Sequence, residues 1–252
     1  MKIFFTKMQS YGNDFVIIDF REENANKDFT ANEIIYLADR NYGIGCDQLI
    51  VLYKSEIPED DKSISVNVKI YNNDGTIAMN CGNGMKCIAG YVLRNSIKSI
   101  IRIKIGNSVI SAKADKDKKY SKVNIGIPDV QSNIVTIGNK HKIVMVENFD
   151  SLNKVPDPEF NISYVKLNSK SDMFVRTVER GVGETLSCGT GVCASAAYCI
   201  VNNLVDKNVK ILTRGADIMN STNEVTWDGV GKPMLFGGYY SFVYTGDITI
   251  VD

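Results

Sequence analysis

Apolar and polar positions alternate along several short stretches of the chain: Ile3 to Phe5, Phe15 to Asp19, Val66 to Tyr71, Ile100 to Ile105, Tyr164 to Leu167, Met173 to Val178 and Tyr239 to Tyr244. A period of two is that of a strand with one face in a core, so each stretch predicts a strand. Helical patterns are fewer. One helix is expected over Ala31 to Arg40, and two more directly after Cys81 and Cys188, where Gly-containing starts run into small and apolar residues. Many short strands with few long helices predict an α/β (α+β) fold of mixed sheets rather than a doubly wound parallel sheet.

The two helical patterns are related. CGNGMKCIAGYV begins at Cys81 and CGTGVCASAAYC at Cys188, an offset of 107 residues, and within them Cys, Gly, Gly, Ala and Tyr recur in step. Each copy follows a strand-like stretch and a Gly-containing turn, Val66 to Gly75 and Phe174 to Gly183. Such a long period points to two pseudo-symmetric halves rather than a solenoid. We expect an N-terminal half over residues 1–116, completed by a last strand over about 240–252, and a C-terminal half over residues 117–239, with the active site in the cleft between them. The charge-rich stretch Lys113 to Lys122 is either the linker or a hairpin tip.

Composition narrows the function classes. At 252 residues, 44% hydrophobic and 23% charged, the chain can bury a core without a metal or disulfide staple. Lys plus Arg and Asp plus Glu each number 29, so there is no global field for nucleic acid or an anionic membrane. No apolar run is long enough to span a bilayer and no signal-peptide pattern opens the chain, which predicts a cytoplasmic protein. Six cysteines in that setting read as reduced thiols. Their spacings include no Cys-x-x-Cys and His141 is the one histidine, so neither structural zinc nor a thiol-disulfide oxidoreductase fits.

Cys81 and Cys188 are placed for chemistry. A Cys-Gly-x-Gly start sets a thiol at the positive end of a helix dipole, beside unpaired backbone N–H groups, a setting that favours thiolate. The same N–H groups can hold a carboxylate. Two such starts, one from each half, suit inversion of a Cα centre: a thiolate takes the α-proton from one face while a thiol supplies one to the other, with no pyridoxal phosphate or other cofactor. A cysteine near a helix start is also a common core residue, so the pattern alone leaves a buried pair and a catalytic pair both open. Cys46, Cys87, Cys193 and Cys199 are assigned to the core.

Five blocks, MQSYGNDFVIID, GIGCDQLIVL, YNNDGTIAMNCGNGMKCIAGYV, GNKH and ERGVGETLSCGTG, together resemble the diaminopimelate epimerase family in order and spacing. The resemblance implies two halves of mixed sheet wrapped round central helices and cofactor-independent interconversion of LL- and meso-2,6-diaminopimelate in lysine and peptidoglycan synthesis. It also implies a homodimer whose partner is otherwise only the small-molecule substrate. Carried over by motif, Cys81 and Cys188 match the catalytic pair, and Gly82 and Asn83 with Gly189 and Thr190 match the groups that hold the reacting carboxylate. Asn72, Asn161 and Arg180 match residues that recognise the distal end of the substrate. Asn13, Gln48 and Asn139 match further polar site residues, while Glu179 and His141 match a supporting pair.

Three departures from the family pattern stand out. Lys140 replaces the Pro common in the GN-P-H motif, Gln-Ser-Tyr precedes Gly12-Asn13, and the segments from Cys81 to GNKH and from His141 to Asn161 are short. The rival readings are another cofactor-independent racemase of the same fold and a catalytically inactive amino-acid-binding relative.

Overall fold

The computed structural model describes residues 1–22, 27–78, 80–150 and 152–250. Met79 of the third family-like block and residues 251–252 of the expected last strand lie outside them. The elements are β1 (Lys2–Ser10), β2 (Asn13–Asp19), α1 (Ala31–Ala38), β3 (Gln48–Lys54), β4 (Ser63–Asn72), β5 (Ile77–Ala78), α2 (Gly82–Leu93), β6 (Ile100–Ile105), β7 (Ser108–Asp115), β8 (Tyr120–Gly126), β9 (Asp129–Gln131), β10 (Ile134–Ile137), β11 (Asn139–Met145), β12 (Asn161–Ser169), β13 (Asp172–Glu179), β14 (Gly183–Glu184), α3 (Gly189–Val201), β15 (Asn208–Leu212), α4 (Arg214–Ile218), β16 (Asn223–Thr226), β17 (Met234–Tyr239) and β18 (Ser241–Thr249). The fold is mixed α/β. Unit 1 comprises Met1–Ser10, Asp14–Ser121 and Tyr240–Asp252, and unit 2 comprises Tyr11–Asn13 and Lys122–Tyr239.

In unit 1, β2 and β3 pair in parallel and carry near-continuous apolar runs, Phe15 to Ile18 and Leu49 to Tyr53, every residue buried. Such runs mark strands covered on both faces. Leu49, Val51 and Tyr53 join Ile34 and Leu37 of α1 in one cluster, while the Ile50 side chain points to Gly84 at the start of α2. Thr30 caps α1 through a reciprocal box with Glu33. The sheet continues with β4 antiparallel to β3, β6 parallel to β4, and β18 antiparallel to β1. Every residue of α2 is buried, including Asn83 and Lys86.

Unit 2 repeats the plan. β11 and β12 pair in parallel, β12 and β13 antiparallel, and β13 and β15 in parallel, and α3 packs on β10 to β13 through a cluster that includes Val165, Met173, Val175, Val192 and Ala196.

The expected strand over Tyr239 to Tyr244 is two strands. Tyr240 is buried and its N–H goes to the Lys119 carbonyl at 3.0 Å, which takes it out of the ladder and ends β17. Its ring fills the space a side chain at Gly90 would occupy, since a Cβ there would lie 2.3 Å from it. The stretch Lys113 to Lys122 is the end of β7, a turn at residues 116–119 and the start of β8, rather than a linker. The helix expected over Ala31 to Arg40 ends at Ala38, where the Asp39 side chain turns back onto the N–H groups of Asn41 and Tyr42.

Candidate active site

Cys81 and Cys188 are the N-caps of α2 and α3, with extended backbones at φ −152° and −112°. All six cysteines are free. Cys81 accepts the Gly84 N–H at 3.3 Å, whereas Cys188 makes no side-chain capping bond. Gly82 and Asn83 open α2 as Gly189 and Thr190 open α3, and all four are buried.

The floors beneath the two helix starts differ. At Gly84 a Cβ would lie 3.3 Å from Ile50 Cδ1, so the floor there is aliphatic. At Gly191, the matching position, it would meet Thr177 Oγ1 at 2.5 Å, Ser163 Oγ at 3.1 Å and His141 Cε1 at 3.3 Å. Sheet register builds this polar floor. His141 pairs with Asn161 and Ser163 with Thr177, so Asn161, Ser163 and Val165 share a face with Val175, Thr177 and Glu179. That face is apolar at Val165 and Val175, which pack on α3, and becomes polar next to the helix start.

A buried hydrogen-bonded series follows. Thr177 Oγ1 lies 3.3 Å from Ser163 Oγ, which is 3.1 Å from His141 Nδ1. His141 Nε2 is 2.9 Å from Thr190 Oγ1, and Thr190 Oγ1 is 3.5 Å from Cys188 Sγ. Burial lowers His141 from its ordinary value of 6.5 to about 3, so the ring is neutral at physiological pH. Burial also pushes the Cys188 thiol well above its ordinary value, and the charge and hydrogen bond of Glu179 add to the rise, while Thr190 and the Gly191 N–H act the other way. The expectation that a helix start favours thiolate is therefore corrected at Cys188: in the ligand-free protein desolvation outweighs the helix terminus, and Cys188 rests as a thiol. Glu179 also accepts the Thr185 hydroxyl at 2.7 Å.

The remaining sequence-predicted residues distribute as follows. In unit 1, Gln48 and Asn72 face each other across β3 and β4, with Gln48 Nε2 donating to Asn72 Oδ1 at 2.9 Å and Asn72 Nδ2 to Thr76 Oγ1 at 3.0 Å. Gln48 Oε1 is buried and has no protein partner among the described residues. Asp14 and Asp47, the neighbours of Asn13 and Gln48, are clamped by Arg40, and Lys7 adds a 2.5 Å ion pair to Asp14. Burial alone would raise Asp14, but the bonds from Arg40 and Lys7 outweigh it and hold the carboxyl at about 2. In unit 2, Asn13 follows a turn at Tyr11 (φ 57°) and Gly12 (φ 84°). Tyr11 tolerates that conformation because its hydroxyl donates to the Thr222 carbonyl at 2.7 Å and accepts the Tyr239 N–H at 2.9 Å. Asn161 Oδ1 accepts the Arg180 backbone N–H at 2.8 Å, while the Arg180 and Asn139 side chains are exposed.

The profile of the family described as diaminopimelate epimerase matches residues 5–130 and 133–234. The chain belongs to the diaminopimelate epimerase family. It is similar to the diaminopimelate epimerase of Teredinibacter turnerae, at 30% identity over 99% of this chain and 100% of the relative, and to that of Blochmanniella pennsylvanica, at 32% over 98% and 99%. The first of these alignments spans 289 positions against 252 residues here, so the relative carries segments that this chain lacks. Among solved structures it resembles a phenazine biosynthesis protein of the PhzF family from Bacillus anthracis (TM-score 0.75, 16% identity, 99% of this chain and 100% of that one). It also resembles a hydroxyproline epimerase from Agrobacterium vitis (TM-score 0.70, 10% identity, 100% and 93%). These structures establish the shared fold. The protein is thus an isomerase of the diaminopimelate epimerase family.

Against that family's pattern, Lys140 is exposed and one strand position from fully buried His141, so it projects from the opposite face of β11. Ser163, Thr177 and Thr185 were not anticipated from the sequence. For Ser163 and Thr177 the signal was a hydroxyl two positions from a buried Val on the inward face, Val165 and Val175, whereas Thr185 carries no such signal.

Proposed function

We propose that this protein interconverts LL- and meso-2,6-diaminopimelate without a cofactor, by α-proton transfer between Cys81 and Cys188. The observation that carries this reading is that two thiols cap two buried helices on the same motif but in different settings. Cys188 is held protonated by burial and by Glu179, which equips it as the resting acid, and Cys81 takes the part of the base. N–H groups at Gly82, Asn83, Gly189 and Thr190 bind the reacting carboxylate and stabilise charge as the α-carbon loses its proton. Arg180, exposed and able to donate in pairs, receives the distal carboxylate with Asn72 and Asn161, and Gln48 Oε1 accepts from an ammonium group. Asn13 and Asn139 complete the polar lining.

On the same reading the protein works in the cytoplasm, in lysine and peptidoglycan precursor synthesis. It works there as a homodimer. The test is proton NMR of LL-diaminopimelate with the reduced protein in deuterium oxide. Loss of the α-proton signal with appearance of the meso isomer supports the proposal. Absence of exchange in a folded, reduced sample rejects this substrate, and a panel of other amino acids then tests the wider racemase reading.

A further inference from the structure

We infer that His141 carries its proton on Nε2, and that Thr190 is the positioning residue through which it presents a hydrogen-bond donor to the Cys188 sulfur. This deepens the proposed role of Cys188 and rests on that role only for its kinetic consequence.

The argument counts protons. An ionised carboxylate only accepts hydrogen bonds, and Glu179 takes those of Thr185 and of the Cys188 thiol. While Cys188 is a thiol, its single proton is directed to Glu179, so it offers Thr190 only lone pairs. As a thiolate it has only lone pairs to offer. In both states the Thr190 hydroxyl donates to Sγ, 3.5 Å away. With its one proton used there, Thr190 Oγ1 meets His141 Nε2 as an acceptor at 2.9 Å, and Nε2 bears the proton. A neutral imidazole has one N–H, so Nδ1 is a lone pair and receives the Ser163 hydroxyl at 3.1 Å. Ser163 in turn accepts from Thr177 at 3.3 Å.

Four groups with one proton each thus point the same way, toward the sulfur, and their polarity does not reverse during turnover. Ser163 and His141 are fully buried and Thr177 and Thr190 nearly so, which denies water the chance to break the order. Protonating the ring would set two donors against the Ser163 hydroxyl and place a charge where nothing solvates it; burial alone brings the ring to about 3.

His141 is the only histidine in the chain, so labelling histidine with nitrogen-15 yields one imidazole to observe. In the reduced, substrate-free protein we expect Nε2 to show the shift of a protonated nitrogen and Nδ1 that of a lone pair. Neither should change from about pH 5 to about pH 9, although an ordinary histidine titrates near 6.5. A proton on Nδ1, or titration in that range, overturns the inference. This measurement needs no substrate, so its failure is distinct from failure of the epimerase reading.

A second arm follows turnover. Thr190→Val removes the bridging oxygen at constant shape and should lower kcat roughly 3- to 10-fold, the worth of one hydrogen bond, with KM little changed. It should also move the basic limb of kcat/KM to higher pH, and Thr190→Ser should restore most of both. Equal losses in Val and Ser variants, or an unmoved pH profile in Thr190→Val, overturn the role of Thr190.

Discussion

Replacing Gly191 with alanine tests the polar floor directly. The added methyl group would sit 2.5 Å from Thr177 Oγ1, 3.1 Å from Ser163 Oγ and 3.3 Å from His141 Cε1. All three neighbours are themselves buried and their side chains are short or ring-bound, so no long flexible end can swing aside. Thr177 must withdraw by several tenths of an ångström, which severs its already long bond to Ser163. Overpacking of this kind costs about 1–3 kcal/mol and one buried hydrogen bond adds about 1 kcal/mol. Alanine's better helix propensity offsets at most ~1 kcal/mol, and less in a first turn. The net loss of about 1–4 kcal/mol lowers the melting temperature by roughly 2–16 °C for a chain of this size. Gly84→Ala is the internal control: its nearest neighbours are Cys81 Sγ and Ile50 Cδ1, both at 3.3 Å, and the Ile50 side chain can shift. Its loss should stay under about 1 kcal/mol. Calorimetry of the two variants beside the wild type decides the matter. If Gly191→Ala melts with the wild type, or Gly84→Ala melts lower than Gly191→Ala, the tight polar floor is wrong.

Three further outcomes are expected. Asp14, held at about 2 against an ordinary 3.8, contributes stability that is present above its unfolded value and lost as pH falls through the folded one. Urea unfolding should therefore show Asp14→Asn less stable than wild type by roughly 1–2 kcal/mol at pH 6, a gap closing between about pH 4 and about pH 2; a constant gap contradicts the ion cluster. Cys81→Ala and Cys188→Ala should each reduce epimerisation at least ~100-fold, read by NMR in deuterium oxide, and wild-type turnover in either variant removes that thiol from the mechanism. Lys140→Met should leave turnover within about twofold, as expected for a surface position on the far face of its strand, and a larger drop would give Lys140 a role that its exposure does not suggest.

The sequence carried the helix starts because their signals are local. Cys-Gly-x-Gly followed by small apolar residues needs no tertiary knowledge, and both cysteines cap helices. Strand β6 was legible for the same reason, since Ile101 to Ile105 alternates strictly. Short elements such as β10, β16 and α4 were not, because four or five residues of mixed character take their conformation from their neighbours. The break at Tyr240 depends on a carbonyl at Lys119 and a gap over Gly90, neither visible along the chain. The resting state of Cys188 was misread for a deeper reason: a helix terminus is a sequence feature, whereas desolvation is set by everything packed around the sulfur.

On the proposed reaction, one repeated motif serves two unequal roles. Each helix start fixes a thiol as cap, and on the proposed reaction its backbone N–H groups hold a carboxylate, a joint demand that suits the recurrence of Cys, Gly and Gly in step. The floor beneath is what the halves do not share: Ile50 under Gly84, and Thr177, Ser163 and His141 under Gly191. On the proposed reaction the equilibrium between the two isomers belongs to the substrates alone, so the protein cannot favour one direction in kcat/KM. It can choose only which thiol holds the proton when the site is empty, and hence which isomer meets a ready enzyme first. Burial and Glu179 keep that proton on Cys188, while a donor from Thr190 limits the free energy needed to remove it. Burial and the neighbouring Glu179, rather than the helix start that the two halves share, therefore set the resting state of Cys188.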